Sequence, residues 1–177
     1  PSFQYGLTVF EGIRAYRNKE GINKPFLLSQ HINRIIESAK LLGIKINFSN
    51  KEIEEDIKKL LSNNKFDNDI YIKYIIAFLD TGTWHSYSNP DRVAFSYELP
   101  SSLRLNNPEY LEASFTSIKR ISSNVLSPKI KCGANYINSR MGVLDVNDGF
   151  ANSKIPIFID NNGFVSETSG ACIFIIK

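Results

Sequence analysis

The stretch DIYIKYIIAFL, residues 69–79, alternates more regularly than any other part of the chain, and its reading decides the fold class. Ile70, Ile72, Tyr74, Ile76 and Phe78 fall on one face of an extended strand, and Tyr71, Lys73, Ile75 and Ala77 on the other. Downstream, a loop holding Trp84, His85 and Asn89-Pro90 leads to a second strand, Val93 to Tyr97. Upstream lie two amphipathic helices. In the first, Ser29 serves as N-cap, Ile32, Ile35, Ile36, Ala39 and Leu42 recur at helical spacing, and Gly43 closes the helix. The second opens at Ser49 with Glu52 three positions on, a capping box. Its apolar stripe is Ile53, Ile57, Leu60 and Leu61, and Asn63-Asn64 ends it. Before the helices, Pro25 to Leu28 reads as a short strand. Residues 5–16, YGLTVFEGIRAY, contain Gly6 and Gly12, which mark backbone that bends or passes close to something. A β-rich sheet carrying two helices is an α+β layer.

Pro100-Ser101-Ser102 to Asn106-Asn107-Pro108 is a polar segment bracketed by prolines. It divides the chain into a small α+β domain over 1–100, a linker over 101–109 and a second part over 110–177. In that second part Ala113 to Ile118 reads as a strand. Asn135 is placed to cap a helix to about Asn147 with Ile137, Met141, Leu144 and Val146 as its apolar stripe. Ile155–Asp160, the turn Asn161-Asn162-Gly163 and Phe164–Glu167 form a hairpin. Ala171 to Ile176 reads as a final strand.

With 177 residues, 42% hydrophobic and 22% charged, the chain has length enough for a real core and the composition of an ordinary soluble protein. A net charge of +3 carried by scattered basic residues gives no footprint for nucleic acid. The apolar runs are too short for a membrane span. Cys132 and Cys172 match no zinc or disulfide framework, so both are expected to be reduced and the compartment to be cytoplasmic, with an organelle left open. His31 and His85 have no matched ligand spacing, and no metal is expected. The chain opens on Pro1 and stops at Lys177 in an apolar run, which reads as a fragment.

The segment KCGANY, residues 131–136, joins an amine, small residues that let backbone approach a ligand, an amide and a phenol. Taken alone, Lys131 is one surface lysine among many. Together with YGLTVFEGIRAY, FLLSQHINRIIESAK (26–40), Tyr71-Ile72-Lys73 and VSETSGACIF (165–174), however, it resembles the ordered signature blocks of the branched-chain amino-acid aminotransferases. These are fold-type IV pyridoxal-phosphate enzymes. The resemblance implies a small α/β sandwich-like domain followed by the start of a larger, β-rich pseudo-barrel domain that binds pyridoxal 5'-phosphate. It also implies amino acids and 2-oxo acids as partners, and a homodimer or higher assembly with the 82–88 loop reaching towards a partner's site.

By position, Lys131 resembles the lysine that holds the cofactor and carries the proton at substrate Cα. Arg34 resembles the phosphate-binding arginine; the plain alternative is an exposed helix arginine paired with Glu37. Tyr136 resembles the phenol on the ring hydroxyl, against a half-buried helix tyrosine. Glu167 resembles the carboxylate facing the ring nitrogen, against a solvated hairpin glutamate. Tyr5, Phe10 and Tyr71 stand where the family lines its side-chain pocket, against plain core packing. Lys73 stands where the family usually has arginine, which alters the handling of a side-chain carboxylate. Ala171 stands where many members carry a second glutamate. The implied reaction is transamination of leucine, isoleucine and valine with 2-oxoglutarate. The alternatives are a D-amino-acid transaminase, an aminodeoxychorismate lyase or a non-catalytic homologue. The 177-residue piece by itself is expected to be inactive and poorly soluble, through unpaired strand edges.

Overall fold

The computed structural model describes residues 1–85, 88–99, 110–147 and 154–176. The expected linker over 101–109 lies outside the described residues. The chain divides into two compact units: Pro1–Pro108 with Ile130–Gly133, and Glu109–Lys129 with Ala134–Lys177. The short segment around Lys131 thus returns to the first unit.

The first unit opens with one helical turn, α1 (Ser2–Tyr5), ended by Gly6 at φ 69°. Four antiparallel strands follow, β1 (Thr8–Arg17), β2 (Asn23–Pro25), β3 (Ile70–Ala77) and β4 (Asp91–Glu98), in the order β2-β1-β3-β4. Helices α2 (Leu28–Leu41) and α3 (Asn50–Asn63) cover one face, α2 against β1 and α3 against β4. The alternation expected for 69–79 sets that face. Ile70, Ile72, Tyr74 and Ile76 are buried beneath Ile32, Ile35 and Ala39 of α2 and Ile53 and Ile57 of α3. Each such isoleucine contributes about 1.5–3 kcal/mol by leaving water. Tyr71, Lys73 and Ile75 point to the other face, away from α2 and α3.

The capping box at Ser49 and Glu52 forms as expected, with both reciprocal hydrogen bonds present. Gly43, at φ 73°, ends α2 through bonds from Gly43 N–H to the Lys40 carbonyl and from Ile44 N–H to the Ala39 carbonyl. The start of α2 differs from expectation. Strand β2 ends at Pro25, and the chain turns at Leu27, whose φ of 51° makes it the N-cap in place of Ser29. Phe26 N–H still donates to the Arg14 carbonyl, so it is the left-handed turn at Leu27 that leaves the sheet, and Ser29 is absorbed into the first helical turn.

In the second unit, β5 (Glu112–Phe115) runs parallel to β6 (Lys154–Ile159), which pairs antiparallel with β7 (Val165–Thr168). Helix α4 (Asn135–Val146) connects β5 to β6 and packs on β6. The β6–β7 hairpin turns at Gly163, φ 89°, with Asp160 Oδ1 accepting from the N–H groups of Asn162 and Phe164. The expected stripe of α4 is incorrect. Ile137 and Met141 are 64% and 47% exposed, whereas Asn135, Ser139 and Gly142 are buried. The small face wins because Phe158 lies against it: a Cβ on Gly142 would fall 2.2 Å from the ring. The last expected strand is also absent. From Ala171 to Ile176 the backbone pairs with no strand, and Phe174, Ile175 and Ile176 are exposed. A turn closed by Thr168 and Ala171 takes the chain away from β7 instead.

Among the described residues no helix is long and apolar enough to cross a membrane. The same residues hold no cluster of metal-ligating side chains, and Cys132 and Cys172 are both unpaired thiols.

Gly142→Ala should destabilise the protein by about 1–3 kcal/mol, because the buried Phe158 ring must shift. Ile137→Ala, on the exposed side of the same helix, should stay within about 0.5 kcal/mol. Urea unfolding of the two variants checks the assignment of the face.

Candidate active site

In the first unit the strand alternation of β1 sends neighbouring residues to opposite faces. Val9, Glu11, Ile13 and Ala15 point under the helices, and Phe10 and Gly12 to the other face. Lys131 joins this sheet through a short extra pairing. Phe10 N–H donates to the Lys131 carbonyl (3.1 Å), Gly133 N–H donates to the Thr8 carbonyl (3.2 Å), and Val9 and Cys132 form an antiparallel bridge. Cys132 is therefore buried beside Val9, and alternation sends the Lys131 side chain to the opposite face. Its Nζ lies 5.0 Å from the centroid of the Phe10 ring. The approach at Gly133 is close: an added Cβ would meet Thr8 Oγ1 at 2.7 Å, and that hydroxyl would have to turn aside.

Lys73, on β3 opposite Gly12, reaches the same ring, with Nζ 4.3 Å from the Phe10 centroid and 5.5 Å from that of Tyr71. Burial pushes the Lys73 amine below its ordinary pKa, the Lys131 charge pushes the same way, and Glu11 partly opposes both. Tyr71 lies across β1 at Gly12, where an added Cβ would overlap its hydroxyl at 1.5 Å, and its ring stacks at a tilt on Tyr97 (5.4 Å). The close approach expected at Gly12 is thus to an aromatic ring. The structure brings Lys131, Phe10, Tyr71 and Lys73 together on one sheet face. Tyr5 packs edge-on against Trp84, with ring centroids 5.2 Å apart.

Arg34 pairs with Glu11, not with Glu37. Its Nε and Nη2 donate to the two oxygens of Glu11, each at 2.5 Å, and His31 Nδ1 lies 2.8 Å from Oε2. Glu11 is 1% exposed and the Arg34 side chain 52%. Burial raises the Glu11 pKa, but the hydrogen bonds and charges of His31 and Arg34 outweigh it, leaving the carboxyl below its ordinary value of 4.5. The buried carboxylate thereby orients a guanidinium that remains half in water. The sequence carries one signal for Glu11: it is a charged residue in the inward register of an apolar strand.

The second unit holds Tyr136 and Glu167. Tyr136 sits in the first turn of α4, half-buried. Glu167, on β7, keeps 40% of its side chain exposed, and it is held by an ion pair. Arg120 Nε donates to its Oε1 at 2.6 Å, and the arginine is 15% exposed. Arg120 also donates through Nη1 to Asn138 Oδ1 (2.8 Å), and its guanidinium lies 5.8 Å from the Phe158 centroid. Asn138 accepts from Ile121 N–H and donates to the Lys119 carbonyl, which fixes it in turn. Nothing local in the sequence marks Arg120 or Asn138, because their partners are distant along the chain.

Residues 8–177 match the family profile described as amino-transferase class IV. A "Probable branched-chain-amino-acid aminotransferase" of Aquifex aeolicus is 30% identical over 99% of this chain and 56% of its own length. A crystal structure of branched-chain aminotransferase from Thermoproteus uzoniensis with norvaline superposes with a TM-score of 0.83 at 27% identity, covering 96% of this chain and 56% of that one. The PLP-form of branched-chain amino acid aminotransferase from Thermobaculum terrenum gives 0.80 at 30% identity, covering 94% and 54%. The chain thus spans just over half the length of these relatives.

Glu11→Gln should cost about 2 kcal/mol, the scale of charge-assisted bonds lost at a site where Arg34 can still hydrate. The sign of its pH dependence follows from the lowered pKa. The stabilisation from Glu11 is complete above about 4.5 and drains as pH falls through the depressed native value. Urea midpoints from pH 7 to 3 should therefore converge for wild type and Glu11→Gln at the acid end.

Proposed function

The chain belongs to the class IV aminotransferase family and has the α+β fold of its fold-type IV members, and from that premise we propose that it serves pyridoxal-phosphate-dependent transamination of branched-chain L-amino acids with 2-oxoglutarate. The observation that supports this reading most directly is the mounting of Lys131. Its backbone is pinned to β1 and its amine stands beside Phe10 and Lys73 on the open sheet face.

The donor set fits the cofactor chemically within each unit. The first unit offers a primary amine and an arginine already oriented for paired hydrogen bonds to phosphate. The second offers a phenol and a carboxylate. Arg120 occupies Oε1 of Glu167, while Oε2 has no partner among the described residues. When bound, pyridoxal 5'-phosphate supplies an electron sink for charge developing at the substrate Cα.

The residues divide the remaining work. Lys131 Nζ holds the cofactor and moves the proton at substrate Cα. Arg34 binds phosphate with the orientation Glu11 imposes. Tyr136 donates its hydroxyl proton to, or accepts from, the ring hydroxyl. Glu167 keeps the ring nitrogen protonated; at about 4 Å and an effective dielectric of about 20 such a charge pair is worth roughly 4 kcal/mol. Tyr5, Phe10 and Tyr71 form the aromatic wall for leucine, isoleucine and valine side chains. Lys73 offers a point charge to a carboxylate without the planar fork of arginine, so glutamate is bound less selectively. A homodimer or higher assembly belongs to the same reading.

With the full-length, cofactor-loaded protein, L-leucine and L-glutamate should act as amino donors and D-alanine should not. Turnover of D-alanine alone would overturn the proposal. Lys131→Ala should abolish the borohydride-trapped adduct, and Lys73→Arg should lower the KM for L-glutamate several-fold with little change for L-leucine. Mass spectrometry of the trapped peptide and initial-rate assays read these outcomes.

A further inference from the structure

Lys131 is held at two backbone atoms, and only its carbonyl is held by sheet pairing. Its N–H turns away from β1 and donates to Ser38 Oγ at 3.1 Å, across 93 positions of sequence. Ser38 lies on α2 and is fully buried. A part-buried N–H takes whatever acceptor the neighbouring element supplies, so this hydroxyl decides where the peptide before Lys131 points.

Helix α2 also carries the other half of the first unit's charged cluster. His31, Arg34 and Ser38 are spaced three and four apart and so share a helix face. His31 and Arg34 are clamped to Glu11. Glu11 follows Phe10, whose N–H holds the Lys131 carbonyl. The contacts close a circuit: Lys131 to Ser38, one turn of α2 to Arg34, Arg34 to Glu11, and β1 back to Lys131. The helical rise between Arg34 and Ser38 is about 6 Å, and it is rigid.

We propose that Ser38 is a positioning residue for Lys131, its hydroxyl fixing the lysine's backbone so that the amine is held at a set separation from Arg34. The meaning of that separation for a cofactor rests on the proposed transamination. The hydrogen bond and its effect on Lys131 do not, and both can be measured without cofactor.

In the cofactor-free full-length protein, two quantities read the contact: amide exchange at Lys131, and the pH profile of acylation of the Lys131 amine with Lys129 as internal reference. Ser38→Ala should speed exchange at Lys131 about fivefold, the factor for one neutral hydrogen bond. It should also shift the acylation profile of Lys131 and leave that of Lys129 in place. Ser38→Thr, which keeps the hydroxyl, should restore both. Should the added methyl prevent folding, Ser38→Cys, close in size but a weak acceptor, should behave as Ser38→Ala does. Ala39→Gly weakens α2 while keeping the Ser38 hydroxyl and should leave the acylation profile unchanged. The proposal is overturned if Ser38→Ala leaves both readouts at wild type, or if Ala39→Gly moves the profile as far. A wild-type protein that forms no borohydride-trapped adduct would sink the transaminase reading alone, since the cofactor-free measurements decide the role of Ser38.

Discussion

The first unit depends on the short antiparallel pairing of residues 131–133 against the start of β1. Two backbone hydrogen bonds and one buried pair, Val9 with Cys132, hold it. The opposite edge of β1 is fully paired to β3, so β1 is an interior strand along this stretch. Interior position makes its alternation binding, because a slip of one residue would exchange every side chain between faces. That rule places Glu11 under the helices and Phe10 beside Lys131. It makes one strand contribute to the helix-covered face and the opposite face at once.

The two faces are governed by different terms. Under the helices, isoleucines from two strands and two helices supply burial, and Glu11 is the exception among them. Its desolvation is offset because three donor contacts, two from Arg34 and one from His31, converge on two oxygens. On the open face little is buried deeply, and the order comes from aromatic rings. Two ammonium groups share the Phe10 ring, and Tyr71 leans on Tyr97. In the second unit the corresponding order is polar. A single half-buried arginine joins Glu167 to Asn138, and Asn138 bonds the backbone on either side of Arg120.

The sequence was most legible where a periodic signal and a local stop agreed. Residues 69–79, the Ser49 capping box and the turn at Gly163 are of this kind, because propensity, pattern and turn chemistry all point one way. It was least legible where the deciding partner is remote. The buried side of α4 follows from the Phe158 ring beneath Gly142, and no periodicity of apolar residues reports that. The corner at Leu27 is a left-handed leucine, which composition does not foretell. Family resemblance supplied Lys131, Arg34, Tyr136 and Glu167, but not the groups that hold them. Ser38, Glu11, Arg120 and Asn138 are visible only once the chain is folded. Of these, Glu11 alone left a trace in the pattern.

Tyr71 occupies the space that a side chain at position 12 would need. These two positions therefore cannot vary independently. A side chain at 12 requires the tyrosine to move aside, and a smaller residue at 71 leaves a groove over bare backbone. The contour of this part of the open face is thus set by the two positions together, and neither can be read from its own residue alone.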